Sequence, residues 1–269
     1  MDHKQIERIV LLVLLQMLSS FAFAATYDDP CGGPAALLNI ADRPSAGDSA
    51  CVVPYKKVVM EFGYQYQELT HSAGHQQNFP EAVFRLGLPA DNEFVVVLPN
   101  RILQSDVPRA GSTATIVGLK HELGYNQFWL AAIESLVALP NGSAAFGSKG
   151  TGLAINGILS YAFNDRYNAT FMLGGSTATT PSMDGGKRYS SVNPDLVLTY
   201  SATEFINVYG EIYGQTKTAP DETSGYNFDG GLLYLVSPHA MVDIEVGHRV
   251  SGNLAGFHQY VGTGFAIMF

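Results

Sequence analysis

The chain ends on His258-Gln-Tyr-Val-Gly-Thr-Gly-Phe-Ala-Ile-Met-Phe269. Read in steps of two, Val261, Thr263, Phe265, Ile267 and Phe269 separate from Tyr260, Gly262, Gly264, Ala266 and Met268. The first set is mostly large and apolar, the second mostly small. A period of two means a strand with two unlike faces. A soluble β-sandwich ends on such a strand, and so does a closed barrel whose outside meets lipid. The remaining chain separates the two.

The 269 residues carry a net charge of −9 and are 46% apolar, but only 14% are charged, against roughly a quarter in a typical soluble domain. There are 28 Gly, 14 Tyr and 15 Phe but one Trp. Membrane barrels need aromatic girdles, and small residues where strands curve. The acidic balance and the lack of any basic run exclude nucleic acid as a partner, because phosphate binding needs concentrated Lys and Arg.

The N-terminus reads as an export signal. Lys4 and Arg8 precede an apolar run from Ile9 to Leu18, broken by Gln16, and Ala22-Phe23-Ala24 follows. A charged head, an apolar core and a small-x-small site predict a signal peptide over residues 1–24, cleaved after Ala24. The run is too short for an anchor, which needs about 20 residues. Cys31 and Cys51 are the only cysteines. In an oxidising compartment they are expected to form a disulfide; with no His between them, a metal site lacks ligands. Residues 25–56 are therefore expected to form a small disulfide-closed periplasmic segment, with a short helix over Ala35–Ala41 before Asp42-Arg-Pro44. Whether it plugs the barrel is not legible.

From Lys57 twelve strands are expected, at 57–68, 81–88, 93–99, 113–123, 128–139, 151–163, 167–178, 189–200, 205–217, 225–236, 239–250 and 258–269. Tight turns such as Pro89-Ala-Asp-Asn92 and Asn164-Asp-Arg166 alternate with long polar loops, centred on 71–80, 100–112, 141–150, 181–188, 218–224 and 251–257. Strict short/long alternation marks an outer-membrane barrel, and an even strand number puts both termini in the periplasm. The fold class expected is all-β, a transmembrane antiparallel barrel over 57–269 with about 12 strands.

The faces agree. Ile206, Val208, Gly210 and Ile212 alternate with Asn207, Tyr209, Glu211 and Tyr213; Val242, Ile244 and Val246 alternate with Met241, Asp243, Glu245 and Gly247. A carboxylate facing hydrocarbon is costly, so the polar set must point inward. The expected pore lining is Glu61, Arg85, Lys120, Glu122, Asp195, Tyr209, Glu211, Tyr213, Asp229, Asp243, Glu245 and Arg249, with Glu134 and Lys217 in the same register. Such charges fill a narrow barrel as a paired network, or line a pore favouring neutral and cationic solutes. Val95–Leu98 and Leu130–Leu139 are apolar on both faces, which implies a greasy lumenal patch or an inner segment covering it.

The last strand, with its terminal aromatic, resembles the closing strand of bacterial outer-membrane barrels, a resemblance that makes Phe265, Ile267 and Phe269 an assembly signal. Over roughly residues 57–269 the chain resembles the outer-membrane transporter family of the meta pathway of phenol degradation. The stretches carrying this are Phe84-Arg-Leu-Gly-Leu-Pro89 with Glu93-Phe-Val-Val-Val-Leu-Pro99, Val117-Gly-Leu-Lys-His-Glu122, Leu136-Val-Ala-Leu-Pro-Asn-Gly142, Tyr209-Gly-Glu-Ile-Tyr-Gly214, Asp229-Gly-Gly-Leu-Leu-Tyr-Leu-Val-Ser-Pro238 and Val242-Asp-Ile-Glu-Val-Gly247. The resemblance implies a barrel and a link to aromatic degradation; it supplies no catalytic residues.

An outer-membrane lipid enzyme needs a Ser nucleophile beside a His base. None of His3, His71, His75, His121, His239, His248 and His258 is followed two residues later by Ser. His121 and His248 fall on the outward register. Gly147-Ser-Lys-Gly-Thr-Gly152 lacks the Gly-Lys-Ser/Thr of a phosphate loop. His71 and His75 sit four apart, a metal-ligand spacing only on a helix, and this stretch reads as a loop. No enzyme, cofactor or metal is expected. The reading is a passive channel for small molecules, aromatic ones among them, in the outer membrane of a Gram-negative bacterium. Its partners are outer-membrane lipid, a small-molecule solute and the barrel assembly machinery. The alternative is a sealed structural or surface-interaction barrel.

Overall fold

Alternating residues make strands from Val58 onward, and prolines decide where those strands break. The computed structural model describes residues 29–70 and 74–269; the expected signal peptide, His3 and His71 lie outside them. Fifteen strand segments form one antiparallel sheet: β1 (Val58–Leu69), β2 (His75–Phe79), β3 (Val83–Leu88), β4 (Asn92–Val97), β5 (Arg101–Gln104), β6 (Ala110–Ser112), β7 (Ile116–Tyr125), β8 (Trp129–Ala138), β9 (Gly152–Ala162), β10 (Tyr167–Thr179), β11 (Arg188–Thr203), β12 (Ile206–Gln215), β13 (Gly225–Ser237), β14 (Ala240–Ser251) and β15 (Phe257–Met268). β15 pairs with β1, Phe265 opposite Phe62 and Gly264 opposite Gly63, so the sheet closes and leaves no edge.

Three strands of the wall are each built from two segments: β2 with β3, β4 with β5, and β6 with β7. The closed barrel therefore has twelve strands, as expected. The loop bounds differ. Stretches 71–80 and 100–112, read as loops, carry β2, β5 and β6. Pro80 and Pro99 each remove one ladder N–H, which interrupts a strand without ending it. Backbone bonds stitch the breaks: Gly63 N–H to Pro80 O at 2.6 Å, Leu98 N–H to Ala82 O at 2.9 Å and Thr113 N–H to Asn100 O at 3.0 Å.

The two ends of the wall meet at the short-turn end, where Phe269 N–H donates to Val58 O at 2.9 Å. Outside, Val208, Ile212, Val242, Ile244 and Val246 are exposed, while Asn207, Tyr209, Glu211, Asp243 and Glu245 between them are buried. Aromatic pairs cluster at the short-turn end of β8–β11. Tyr167 stacks on Tyr200 at 4.9 Å, and Tyr161 contacts both Phe128 and Phe163. Amphipathic rings sit at membrane–water boundaries.

The core lies inside the barrel. Helix α1 (Ala36–Ile40) contacts β13, β14 and β15. Its Leu37 and Ile40 are fully buried, each contributing about 1.5–3 kcal/mol. They cluster with inward-facing Leu130, Ala132, Ile158, Val197, Leu233 and Met241. The apolar lumenal face of β8 is thus covered by an inner segment. The Cys31–Cys51 disulfide, Cα–Cα 5.5 Å, ties the two arms of that segment together.

Candidate functional site

At Ala41 the backbone turns from helical to extended, and the chain runs on through the lumen with N–H groups that must find acceptors. Inward carboxylates supply them. Glu61 accepts from Asp42 N–H at 3.2 Å and Arg43 N–H at 2.8 Å. Glu211 accepts from Ala46 N–H at 2.9 Å and Gly47 N–H at 2.7 Å. Glu93 accepts from Val53 N–H at 2.7 Å.

Side chains complete the attachment. Arg43 reaches Glu81 at 2.8 Å, Asp243 at 3.2 Å and Glu245 at 3.6 Å. Gly63 and Gly264 flank its guanidinium, and a Cβ at either would strike it. Asp42 sits between Arg85 at 3.2 Å and Lys120 at 3.1 Å. Arg85 holds Glu93 through two nitrogens, at 2.6 and 3.0 Å, bonds Glu61 at 3.2 Å, and donates to the carbonyls of Ile40 and Cys51. A fully buried guanidinium with bidentate and backbone acceptors meets the condition for burying charge. Burial opposes the Arg43 charge, but Asp243, Glu81 and Glu245 outweigh it and raise its pKa. Asp48 goes the other way for a carboxylate: burial, then Glu134 and Asp42, push it well above the usual range.

The short-turn half of β9–β12 is different. Its inward positions include Ser160, Asn168, Thr170, Thr199 and Asn207. Thr170 donates to Ser160 at 3.1 Å, and Ser160 to Asn168 at 3.0 Å. Between this wall and residues 38–51 lies a cavity of about 490 Å³, which reaches the turn residues Asn126 and Asn164–Arg166. Ser45–Gly47 forms its ceiling; a Cβ on Gly47 would lie 2.8 Å from Asp195 Oδ2.

Of the residues expected to line a pore, Glu61, Arg85, Lys120, Asp195, Tyr209, Glu211, Asp229, Asp243 and Glu245 are inward and buried. Tyr260 donates to Asp229 at 2.6 Å, joining it to Glu245. Tyr213 is inward and half-buried. Glu122 lies at the short-turn end, and Arg249 at the other end, bonded to Gly252 O at 3.2 Å; neither joins the Arg85 network. His121 keeps the outward register but is buried, opposite Asn92 and Ile133. Phe265, Ile267 and Phe269 take the outward register, with Phe269 62% exposed. Sequence reading missed Asp42, Arg43, Asp48, Glu81 and Glu93. Among the described residues no group of three His, Cys, Asp or Glu is placed to hold a metal.

Residues 41–265 match the family described as "Putative MetA-pathway of phenol degradation". The chain belongs to that family. No curated relative matches it in sequence. An outer-membrane channel from Pseudomonas putida F1 has a similar fold, with TM-score 0.66 at 10% identity, covering 84% of this chain and 100% of that one. KdgM porin gives TM-score 0.55 at 8% identity over 78% of this chain and 99% of its own. NanC porin gives 0.53 at 12% identity over 78% and 98%. This family member is thus a bacterial outer-membrane β-barrel whose structural neighbours are porins and channels.

Proposed function

We propose that the barrel is a passive channel for small, uncharged or weakly polar molecules, aromatic ones included, and that they pass between the inner segment and the β9–β12 wall. The observation that carries this is the unequal lumen. Charges are concentrated where the segment is ion-paired, and hydroxyls and amides line the side that holds the 490 Å³ cavity. Uncharged groups can exchange partners with a passing solute at little cost, whereas breaking a buried ion pair costs several kcal/mol. The pore lining proper is then Tyr209 and its uncharged neighbours. Glu61, Arg85, Lys120, Asp243 and Glu245 serve mainly to seat the segment. The ceiling must yield for passage, and its hold is the pair of N–H bonds to Glu211.

In this reading the short-turn end and both termini face the periplasm. The N-terminal signal and the tight turns support that orientation. Of the expected segment 25–56, the described residues 29–56 are a periplasmic-side segment folded up into the lumen. Phe265, Ile267 and Phe269 present the closing strand to the barrel assembly machinery, and the acidic chain has no nucleic-acid partner.

The test is single-channel conductance of the refolded mature protein in a planar bilayer. Discrete steps are expected, with higher open probability in Glu211→Ala. Absence of conductance in both proteins overturns the channel. It would favour the sealed barrel, a reading supported by how completely the segment's arms are buried.

A further inference from the structure

The cavity beside the segment has a mixed lining. Leu38 supplies an apolar surface from the segment, and Val197 and Leu233 supply one from the wall. Beside them stand Thr199 and Asn207. The register joins these four wall residues into one patch: Asn207 is directly opposite Leu233, and Thr199 is two residues from Val197 on the same face. Asn207 is only 5% exposed, yet among the described residues neither its amide nor the Thr199 hydroxyl has a hydrogen-bond partner. An unpartnered amide of a nearly buried residue on a cavity wall is a group open to a ligand or water.

Charge defines what the ligand lacks. The charged residues of the lining are Arg43 and Asp48, already engaged with Asp243, Glu81 and Glu134, and Asp165 and Arg166 at the turns by the mouth. Arg166 lines this cavity and the adjoining pocket that Asn207 also lines, without an ion pair among the described residues, but Asp165 and Glu204 stand at the same mouth and offset its charge; the carboxylates of Asp195 and Glu211 lie behind the ceiling. An anionic solute therefore meets two carboxylates for the one unpaired guanidinium and gains no net attraction there. Asn207 offers both a donor and an acceptor, and so does Thr199. That pair matches a hydroxyl, which itself donates and accepts.

We propose that this cavity is a binding subsite for a small uncharged molecule with an apolar ring or chain and a single hydroxyl. Val197, Leu233 and Leu38 pack the apolar body, and Asn207 and Thr199 read the hydroxyl. The proposal deepens the channel reading and rests on it for its role, since the subsite lies on the proposed route. The site itself does not require transport.

The experiment is a titration of the refolded, methyl-labelled protein with phenol, followed by the methyl resonances of Val197 and Leu233. Outward Val208 and Leu232 report non-specific partitioning into the surrounding micelle. Saturable shifts are expected at the inward pair only, with toluene and benzoate each binding at least fivefold more weakly. Asn207→Leu is expected to weaken phenol roughly five- to tenfold and Thr199→Val roughly two- to fivefold, so the inference survives failure of either variant to fold. Shifts that never saturate, or that run parallel at inward and outward methyls, overturn it. So does equal binding of toluene or benzoate, or phenol affinity unchanged in both variants. Saturable phenol binding in a protein without conductance keeps the subsite and removes the channel.

Discussion

On one side of the lumen, Glu61, Arg85, Glu93, Lys120 and Asp243 are each bonded to the segment 40–53 or to one another. On the other, Ser160, Asn168 and Thr170 bond mostly among themselves, while the side chains of Thr199 and Asn207 have no partner among the described residues. The charged side has strands interrupted near Pro80 and Pro99 while β9–β12 run unbroken, but the difference that matters for the segment is the inward residue type. Buried charges hold whatever neutralises them, because separating them is expensive. Hydroxyls and amides hold their partners loosely. One wall of a single barrel thus anchors the segment by ion pairs, and the other touches it through the N–H bonds to Glu211 and leaves room beside it.

The contrast is easiest to break at Arg85. Arg85→Met leaves Glu61, Glu93 and Asp42 without their buried cation and is expected to cost about 3–5 kcal/mol. Thr170→Val, across the lumen, is expected to cost about 1 kcal/mol or less. Denaturant unfolding of the refolded barrel measures both, and equal losses would erase the distinction between the walls. Next in size is the disulfide. Cys31→Ala with Cys51→Ala should remove about 2–4 kcal/mol of segment attachment, seen as protease cleavage within 29–57 while the wall stays intact.

Much of this was legible in the sequence. Twelve strands, the inward register of Glu211, Asp243 and Glu245, and the cysteine pair all follow from period-two alternation and compartment chemistry, which are local. The segment's course was not. Residues 30–54 have no strand periodicity, and Asp42-Arg-Pro44 reads equally as a surface turn. A signal was present even so: the predicted lumen held more acids than bases, and the segment's charges are confined to Asp42, Arg43 and Asp48. An excess of buried carboxylates demands donors from elsewhere in the chain. Strand continuation past Pro80 and Pro99 was missed for the opposite reason, since a local stop signal was overridden by pairing with neighbouring strands.

A smaller effect sharpens the comparison through pH. Asp48 has its pKa raised in the docked segment, so its neutral form is the one docking favours. Its contribution is fully present below the ordinary carboxylate pKa of about 4. It is lost as pH rises through that value and on through the raised, docked one. Hydrogen-exchange protection around residues 45–50, taken relative to the intrinsic base-catalysed rate at each pH, should therefore fall as pH rises, and Asp48→Asn should flatten that dependence. Smallest of all, Lys187 and Asp221 pair at 2.9 Å on the exposed loops, and Lys187→Ala should leave unfolding unchanged.

The division of the lumen is tested most directly by planar-bilayer conductance of the wild type and Thr199→Trp, with the segment's protease resistance followed in parallel. The indole should fill the space beside Asn207 and at least halve the conductance while the segment stays protected. Unchanged conductance in Thr199→Trp, or current that arises only once the segment becomes cleavable, would contradict a route along β9–β12.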